Sequence, residues 1–319
     1  MKKPVLVITF NRPDFTQRVL AAVRQYHPER LFVFQDGART SHPSDTEACE
    51  QVRKVIETAV DWPCELSTYY SEKNLGCGPG PAAALDWFFQ QNENGIILED
   101  DAIPHPDFFE YAATLLDKYA DDPQVRAIGS MNVDRHPWGN GSYYFSMMNR
   151  NLCAWASWRR AWDDFDIRLL STSVYKLRKS LRAYGCGVLE REYWCDRLRE
   201  VHKDGVGGSS WDMQFLMSIW LNQGKGIVPN VNLASNVGTT DNATHAMGKG
   251  NIIDNVPTSP ILPLSYPDSC QIQREADREF HFRYFEVSKS QWHKRKIAYF
   301  LINKRVKRLV GHQGPWRKK

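Results

Sequence analysis

Three carboxylates stand side by side in the chain at Glu99, Asp100 and Asp101. They follow the apolar residues 95–98, where a buried strand is expected to end. Adjacent carboxylates repel one another, and Mn²⁺ or Mg²⁺ relieves that repulsion because both ions prefer carboxylate and phosphate oxygens. A cation held there can bridge the protein to a diphosphate and stabilise the charge that develops on a leaving nucleoside diphosphate. The alternative is a solvated turn, or acids that cap the following helix.

Short apolar runs alternate with helix-like segments over the first 130 residues. This alternation is typical of a parallel sheet flanked by helices. The predicted strands are residues 5–10, 31–35, 65–70, 95–98 and 125–131, and the predicted helices lie near 14–26, 46–59, 81–92 and 106–120. In open sheets, ligands bind beyond the carboxyl ends of the strands. The candidates are therefore residues 11–14, 36–37, 74–76 and 99–101.

The remainder of the chain is less regular and rich in Trp and Tyr. We predict a strand at 143–148, helices near 157–164, 171–183 and 212–222, and a long loop at 236–270. Trp155, Trp158 and Trp162 either offer faces on which sugars stack or, at their near-helical spacing, pack in the core.

Composition and charge restrict the function classes. An apolar content of 42% is ordinary for a soluble globular protein, and no run of about 18 apolar residues predicts a membrane span or a secretion signal. The seven cysteines are scattered along the chain, which is typical of proteins in the reducing cytosol. The same scattering argues against a structural zinc site. Eleven of the 41 basic residues lie after position 288, so the rest carries 30 basic against 37 acidic residues. Because this larger part of the chain is net acidic, it is poorly suited to bind the negatively charged phosphate backbone of nucleic acid.

Residues 96–111 (IILEDDAIPHPDFFEY) resemble the corresponding stretch of GT-A glycosyltransferases, among them the N-acetylglucosaminyltransferase that initiates complex N-glycan branching and related bacterial enzymes. The resemblance extends to residues 8–13 and 33–37 and covers, in order and spacing, residues 4–245. It implies an α/β, Rossmann-like GT-A fold with a mostly parallel central sheet flanked by helices and a C-terminal acceptor-side region. The helix-like segment after position 288 adds a basic terminal helix.

The same resemblance implies roles for individual residues. Arg12 and Asp36 would contact the nucleotide, Asp36 at the base, while Asp100 contacts the ribose side, Asp101 the Mn²⁺ or Mg²⁺ ion and Glu99 the donor sugar. Phe10 belongs to the nucleotide-binding turn, and Asn74 and Gly76 to an Asn-Leu-Gly loop that many GT-A enzymes have before a helix. Where the family has a histidine in the preceding helix, this chain has Ala84. The alternatives are a helix cap at residues 11–14 and a plain turn at residues 36–37.

Asp212 follows Trp211 and opens a helix-like run. An inverting transferase needs a carboxylate that takes the proton of the acceptor hydroxyl, and Asp212 is the candidate base. The alternative is that it caps the helix. His245 lies in the stretch 238–245, where GT-A enzymes often have a loop that closes on donor and metal. It is therefore a candidate metal or diphosphate contact, the alternative being an ordinary surface histidine.

Together these observations predict a metal-dependent glycosyltransferase of cell-surface polysaccharide synthesis, with a UDP-sugar favoured as donor and a saccharide or glycolipid as acceptor. That the transfer inverts the sugar is implied by the resemblance. The alternatives are a non-catalytic module that binds sugar nucleotide or glycan, and a sugar-phosphate nucleotidyltransferase. We divide the chain into a nucleotide-sugar-binding half (1–135), an acceptor-binding and catalytic half of the same domain (136–250), a loop-rich extension (251–288) and a basic amphipathic tail (289–319). The tail could contact anionic membrane, which would bring a cytoplasmic enzyme to the inner face of the cell membrane, the alternative being a solvated, partly frayed terminal helix.

Overall fold

The computed structural model describes residues 2–133, 136–148, 153–204, 211–238 and 255–285. The strands within these ranges are β1 (Val5–Thr9), β2 (Arg30–Gln35), β3 (Glu65–Tyr70), β4 (Asn94–Glu99), β5 (Ala102–Pro104), β6 (Val125–Gly129), β7 (Tyr143–Ser146), β8 (Ala154–Trp158), β9 (Lys225–Pro229) and β10 (Ala234–Asn236). The helices are α1 (Pro13–Tyr26), α2 (Ser44–Ala59), α3 (Pro79–Phe89), α4 (Asp107–Lys118), α5 (Arg159–Trp162), α6 (Val174–Ala183), α7 (Val188–Asp204), α8 (Asp212–Leu221) and α9 (Arg274–Tyr284).

Eight strands form one central sheet in the order β3-β2-β1-β4-β8-β6-β9-β7. The strands from β3 to β4 are parallel to one another, and β6 and β9 run in the same direction. Only β8 and β7 run the opposite way among the strands of this sheet. A second, two-stranded antiparallel sheet pairs β5 with β10. The predicted fold class, an α/β protein with a mostly parallel central sheet flanked by helices, is confirmed.

The central strands are continuous apolar runs because helices cover both faces of the sheet. Side chains of β1 alternate between two cores, since successive residues of a strand point to opposite faces. Val5 and Val7 pack in one cluster with residues of α1, α2 and α4. Leu6 and Ile8 pack in the other with α3 and with Phe215 of α8. The sheet is thereby fixed between two helical layers, and its polar strand-end residues are held at its edge.

The prediction of a helix near 157–164 is wrong over its first residues. Residues up to Trp158 belong to β8, which lies between β4 and β6, and only the short α5 follows. Trp155 and Trp158, three positions apart, therefore point to opposite faces and join different cores. Trp155, Trp158 and Trp162 are 1%, 3% and 4% exposed, so they are core residues and not sugar-stacking faces.

The segment that follows residue 254 packs against the helical layer of the central sheet at the start of α4. The backbone N–H groups of Ile261 and Leu262 donate to Oδ2 of Asp107 at the start of α4, at 2.9 and 3.2 Å. The predicted loop at 236–270 starts on the last residue of β10, its other described residues, 237–238 and 255–270, form no helix or long strand, and α9 follows them. No helix in the described ranges is both long and apolar enough to cross a bilayer. His245 and the basic tail 289–319 lie outside the described residues, and the division of the chain into four parts stays a prediction.

Candidate active site

The structure brings the predicted strand-end residues to one edge of the sheet. In the register of the parallel strands, Ile8 of β1 lies beside Glu99 of β4, and Thr9 lies beside Gln35 of β2. Gln35 in turn lies beside Tyr70, the last residue of β3. All four strands thus end at the same level. Glu99 is the last residue of β4, and the segments after the four strands carry the other predicted residues: Phe10 and Arg12, Asp36, Asn74 and Gly76, and Asp100 and Asp101.

Arg12 contacts two of the three acidic residues. Its Nε and Nη1 donate to Oδ2 of Asp100 and Oδ2 of Asp101 at 3.3 and 3.2 Å, and its Nη2 forms an ion pair with Oδ1 of Asp100. The backbone N–H of Phe10 also faces Oδ2 of Asp100, at 3.4 Å. Pro13 starts α1 immediately after Arg12, and no side chain caps that helix. The alternative interpretation of residues 11–14 as a helix cap is therefore wrong, and the turn orients Arg12 toward the carboxylates.

Burial and mutual repulsion change the proton affinity of the acidic run. Burial raises the pKa of Asp100 to about 6, a rise that Arg12 opposes and Asp101 reinforces. The pKa of Glu99 is well above its ordinary value, first because of burial and then because of the negative charges of Asp101, Asp100 and Asp212. The cluster is therefore short of positive charge even with Arg12 present.

Asp212 joins this cluster from a distant part of the chain. Its negative charge is close enough to raise the pKa of Glu99. Asp212 is the first residue of α8, and Trp211 occupies the N-cap position. The interpretation of Asp212 as the N-cap residue is therefore wrong. Trp211 is buried and stacks on Trp155 of β8 with ring centroids 5.5 Å apart, which anchors the start of α8 to the sheet.

Asp36 joins the loop after β2 to the loop after β3. Its Oδ1 accepts from the backbone N–H groups of Gly37 and Leu75 at 2.9 and 2.8 Å. Its Oδ2 accepts from the N–H of Gly76 at 2.9 Å and from Nδ2 of Asn74 at 3.1 Å. A Cβ at Gly37 would lie 2.7 Å from the carbonyl oxygen of Lys73, so the two loops touch through their backbones. Asn74 and Gly76 thus hold Asp36, whose contact with a nucleotide base stays a prediction.

Two residues beside Phe10 were not identified from the sequence. The guanidinium of Arg39 lies 5.3 Å from the centroid of the Phe10 ring. Asp45 in the first turn of α2 accepts from Nε and Nη2 of Arg39 at 2.6 and 3.0 Å and from Nδ2 of Asn11 at 2.7 Å. These bonds to Arg39 lower the pKa of Asp45 to about 2. In the sequence, Asp45 is indistinguishable from any acid at a helix start.

A second missed contact reaches Asp101 from β10. The N–H of Val237 donates to the carbonyl oxygen of Asp101 at 3.0 Å, and Nδ2 of Asn236 lies 3.4 Å from its Oδ1. Gly238 follows so closely that a Cβ there would lie 2.7 Å from Cβ and Cγ of Asp101. The pairing of β5 with β10 sets these contacts, and no local sequence pattern indicates which strand β5 pairs with.

Asp101 is suited to bind Mg²⁺ or Mn²⁺ together with a phosphate substrate, because such ions need few ligands from the protein. Among the described residues, no three His, Cys, Asp or Glu side chains are arranged to hold a metal ion. Mg²⁺ is usually held by one or two carboxylates together with substrate phosphates and waters, without a protein cage. The side chain of Asp101 is 14% exposed, whereas that of Asp100 is only 4% exposed. Asp101 is therefore the member of the pair that can reach an ion brought by a diphosphate.

No protein-family model matches the chain, and no curated protein matches it. Among solved structures it is similar to an apo UDP-glucose pyrophosphorylase, with 11% identity and a TM-score of 0.40 over 74% of this chain and 93% of that one. A UDP-glucose pyrophosphorylase in complex with UDP-glucose has 13% identity and a TM-score of 0.33, with 51% of this chain and 79% of that one covered. HddC from Yersinia pseudotuberculosis has 10% identity and a TM-score of 0.33, with 51% of this chain and 80% of that one covered. Similarity this low carries no information about the activity of this chain.

Proposed function

We propose that this chain is a metal-dependent inverting glycosyltransferase that moves a sugar from a nucleotide-diphosphate sugar, with a UDP-sugar favoured, to a saccharide or glycolipid acceptor. The observation that carries the proposal is the cluster of Glu99, Asp100 and Asp101 at the strand-end edge beside Arg12, with Asp212 near enough for its charge to raise the pKa of Glu99. A transferase needs one acidic group toward the acceptor and another toward the donor phosphates. Asp212 begins α8 and Asp101 follows β4, so the two acids come from separate parts of the chain and would take these two roles.

The donor side is assigned to residues after β1, β2 and β4. Arg12 presents a planar guanidinium that can pair with phosphate or ribose oxygens. The ring of Phe10 faces the guanidinium of Arg39, and Sγ of Cys49 reaches the backbone carbonyl oxygens of both Phe10 and Asp36, so Phe10 would offer an aromatic surface on the base side. Asp101 would hold the cation, which when bound supplies electrostatic stabilisation of the leaving diphosphate.

The acceptor side is assigned to the start of α8. Asp212 would accept the proton of the attacking hydroxyl, and Glu99, whose pKa the charges of both Asp101 and Asp212 raise, would contact the donor sugar. The stacking of Trp211 on Trp155 holds Asp212 in place, so little reorganisation is needed for proton transfer.

The turn after β1 weighs against a sugar-phosphate nucleotidyltransferase. Such enzymes use a glycine-rich turn with basic residues to hold a nucleoside triphosphate, whereas this chain has Asn11-Arg12-Pro13-Asp14 there and enters α1 at Pro13. The non-catalytic alternative is a protein that binds sugar nucleotide without turning it over. Both alternatives predict assay results that differ from those of a transferase.

The test is release of nucleoside diphosphate from a panel of sugar nucleotides, with Mn²⁺ and pooled saccharide and glycolipid acceptors. Wild type, Asp101→Ala and Asp212→Asn are compared, with Asp61→Asn as control because Asp61 is half-exposed in a surface pair with Arg24. We expect release by wild type and the control and strong losses in the other two. Absence of release with every donor contradicts the transferase, and full activity of Asp101→Ala contradicts the metal assignment. Pyrophosphate formation from a nucleoside triphosphate and a sugar 1-phosphate would instead identify a nucleotidyltransferase.

Action in cell-surface polysaccharide synthesis and membrane contact through the tail 289–319 are part of the same proposal. The support is the eleven Lys and Arg residues after position 288, which would attract anionic lipid headgroups. Sedimentation of the full chain with vesicles is expected to require anionic lipid and to weaken in high salt. Equal sedimentation with neutral vesicles would contradict the electrostatic contact.

A further inference from the structure

The guanidinium of Arg12 uses all three of its nitrogens on the acidic run. Nε and Nη2 engage Asp100, and Nη1 donates to Oδ2 of Asp101 at 3.2 Å. The Arg12 side chain is nevertheless 29% exposed, and its guanidinium lies 5.5 Å from the ring centroid of Phe15. Part of this cation therefore remains accessible while three of its five N–H groups donate to the acidic run.

This arrangement places a positive charge where a divalent cation would have to bind. Oδ2 of Asp101 accepts from Arg12, and Oδ1 faces Nδ2 of Asn236 at 3.4 Å. Divalent cations need direct access to oxygen lone pairs, with oxygen distances of about 2.0–2.2 Å for Mg²⁺. A cation at Oδ2 must displace Nη1, and a cation at Oδ1 remains within a few ångströms of the guanidinium, where like charges repel.

A diphosphate removes this obstacle by competing for Arg12. Guanidinium groups bind phosphate oxygens in a bidentate manner, and such charge-assisted hydrogen bonds are as favourable as those to a carboxylate. When phosphate oxygens satisfy Arg12, Asp101 loses its hydrogen-bonded partner and regains its affinity for a cation. The phosphates also bring negative charge of their own to that cation.

We propose that Arg12 is an internal counter-ion that weakens divalent-cation binding at Asp101 until a nucleoside diphosphate engages its guanidinium. This proposal rests on the proposed function, because it takes Asp101 as the metal ligand and a diphosphate as the partner of Arg12. Its consequence is that metal and nucleotide bind with positive cooperativity. Since coupling of this kind is reciprocal, each ligand raises the affinity for the other by the same factor.

The test measures Mn²⁺ binding by electron paramagnetic resonance of free Mn²⁺, with the full chain at mildly alkaline pH and without acceptor. Wild type is compared with Arg12→Met, which removes the charge but keeps much of the side-chain volume, and with Arg12→Lys, which keeps the charge. Arg24→Met is the matched control, since Arg24 pairs with Asp61 on the surface. Each protein is titrated with and without UDP.

We expect UDP to raise the Mn²⁺ affinity of wild type by about tenfold or more, as removal of one nearby charge predicts. Without UDP, Arg12→Met is expected to bind Mn²⁺ about tenfold more tightly than wild type, and the gain in Mn²⁺ affinity that UDP gives it is expected to be smaller than that of wild type by a similar factor. Arg12→Lys and Arg24→Met are expected to behave like wild type. Equal or weaker Mn²⁺ binding by Arg12→Met without UDP would overturn the proposal.

A second variant guards against a folding defect, because Arg12→Met leaves the buried Asp100 without its ion pair. Arg12→Met combined with Asp100→Asn removes that unpaired charge and leaves Asp101 intact, and the same gain in Mn²⁺ affinity is expected when it is compared with Asp100→Asn alone, because both proteins then lack the charge of Asp100. The readout needs no turnover, so the transferase assay can fail while this cooperativity stands. Conversely, sugar transfer with no difference in Mn²⁺ affinity between wild type and both variants rejects the counter-ion role alone.

Discussion

The backbone of Gly238 lies against the carboxylate of Asp101, so closely that the glycine leaves no room for a side chain. This contact results from the pairing of β10 with β5. In that pairing Asn236, two residues before Gly238, lies opposite Ala102, the residue after Asp101. Asn236 reinforces it, since its Oδ1 accepts from the N–H of Gly238 at 3.0 Å and its Nδ2 faces Asp101. The position of the proposed metal ligand is therefore set by a segment from the second half of the chain.

The first prediction concerns Gly238→Ala. The added methyl group would lie 2.7 Å from Cβ and Cγ of Asp101, so the carboxylate or β10 has to move. We expect the Mn²⁺-dependent release of nucleoside diphosphate to fall by about tenfold or more, because small displacements of catalytic groups are costly. Steady-state kinetics at several Mn²⁺ concentrations provide the measurement.

The control for this variant is Gly187→Ala, because a Cβ at Gly187 meets no atom within 4 Å. It is expected to keep wild-type kinetics. If Gly238→Ala retained wild-type kinetics as well, the close contact between Gly238 and Asp101 would have no bearing on the site.

The second prediction concerns Asp36→Asn and the joined loops after β2 and β3. Four N–H donors point at the Asp36 carboxylate. An amide can accept through only one of its two terminal atoms, so at least one donor is left without an acceptor. A buried donor without a partner costs about 1–3 kcal/mol. We expect the free energy of unfolding of the unliganded protein to fall by that amount in urea titrations.

Substitution of an exposed carboxylate, Asp121→Asn, should leave the urea midpoint unchanged. A variant Asp36→Asn that was as stable as wild type and yet bound UDP poorly would show that Asp36 acts on the nucleotide and not on the loops.

The sequence predicted the arrangement of the site wherever it depends on local order. The acidic run, Arg12 and Asp36 each come directly after an apolar strand, and parallel strands end at one edge, so their proximity follows from the pattern. The contacts that the sequence did not predict are those between segments far apart in the chain. Asn236 and Gly238 reach Asp101 only because β10 pairs with β5. Trp155 and Trp158 have a spacing that fits a helix, and only their place in β8 sends them to opposite faces.

The third prediction concerns the acid stability that Asp45 provides. The folded pKa of Asp45 is about 2, below its ordinary value, because Arg39 and Asn11 bind the charged form. A lowered pKa in the folded state contributes stability above the unfolded pKa of about 4, and that contribution is lost as the pH falls toward 2. Between about pH 5 and about pH 3, wild type is expected to lose about 1 kcal/mol more of its free energy of unfolding than Asp45→Asn.

Urea titrations at the two pH values provide this comparison. Asp61→Asn is a suitable reference, because the Asp61 carboxylate is half-exposed and its ion pair with Arg24 is screened by solvent. Parallel losses in wild type and Asp45→Asn would mean that the bonds from Arg39 and Asn11 do not favour the ionised carboxylate.

The last prediction separates the role of Asp212 from that of Asp101. Asp212→Asn removes a proton acceptor but keeps the size of the side chain and its place at the start of α8. We expect kcat to fall by about 10²- to 10⁴-fold, the usual contribution of a general base, while the affinity for UDP with Mn²⁺ stays within about twofold of wild type. Asp101→Asn should do the reverse, with most of its effect on the Mn²⁺ requirement. If Asp212→Asn weakened UDP binding as strongly as turnover, Asp212 would belong to the donor side of the cluster, and the base would have to come from elsewhere in the chain.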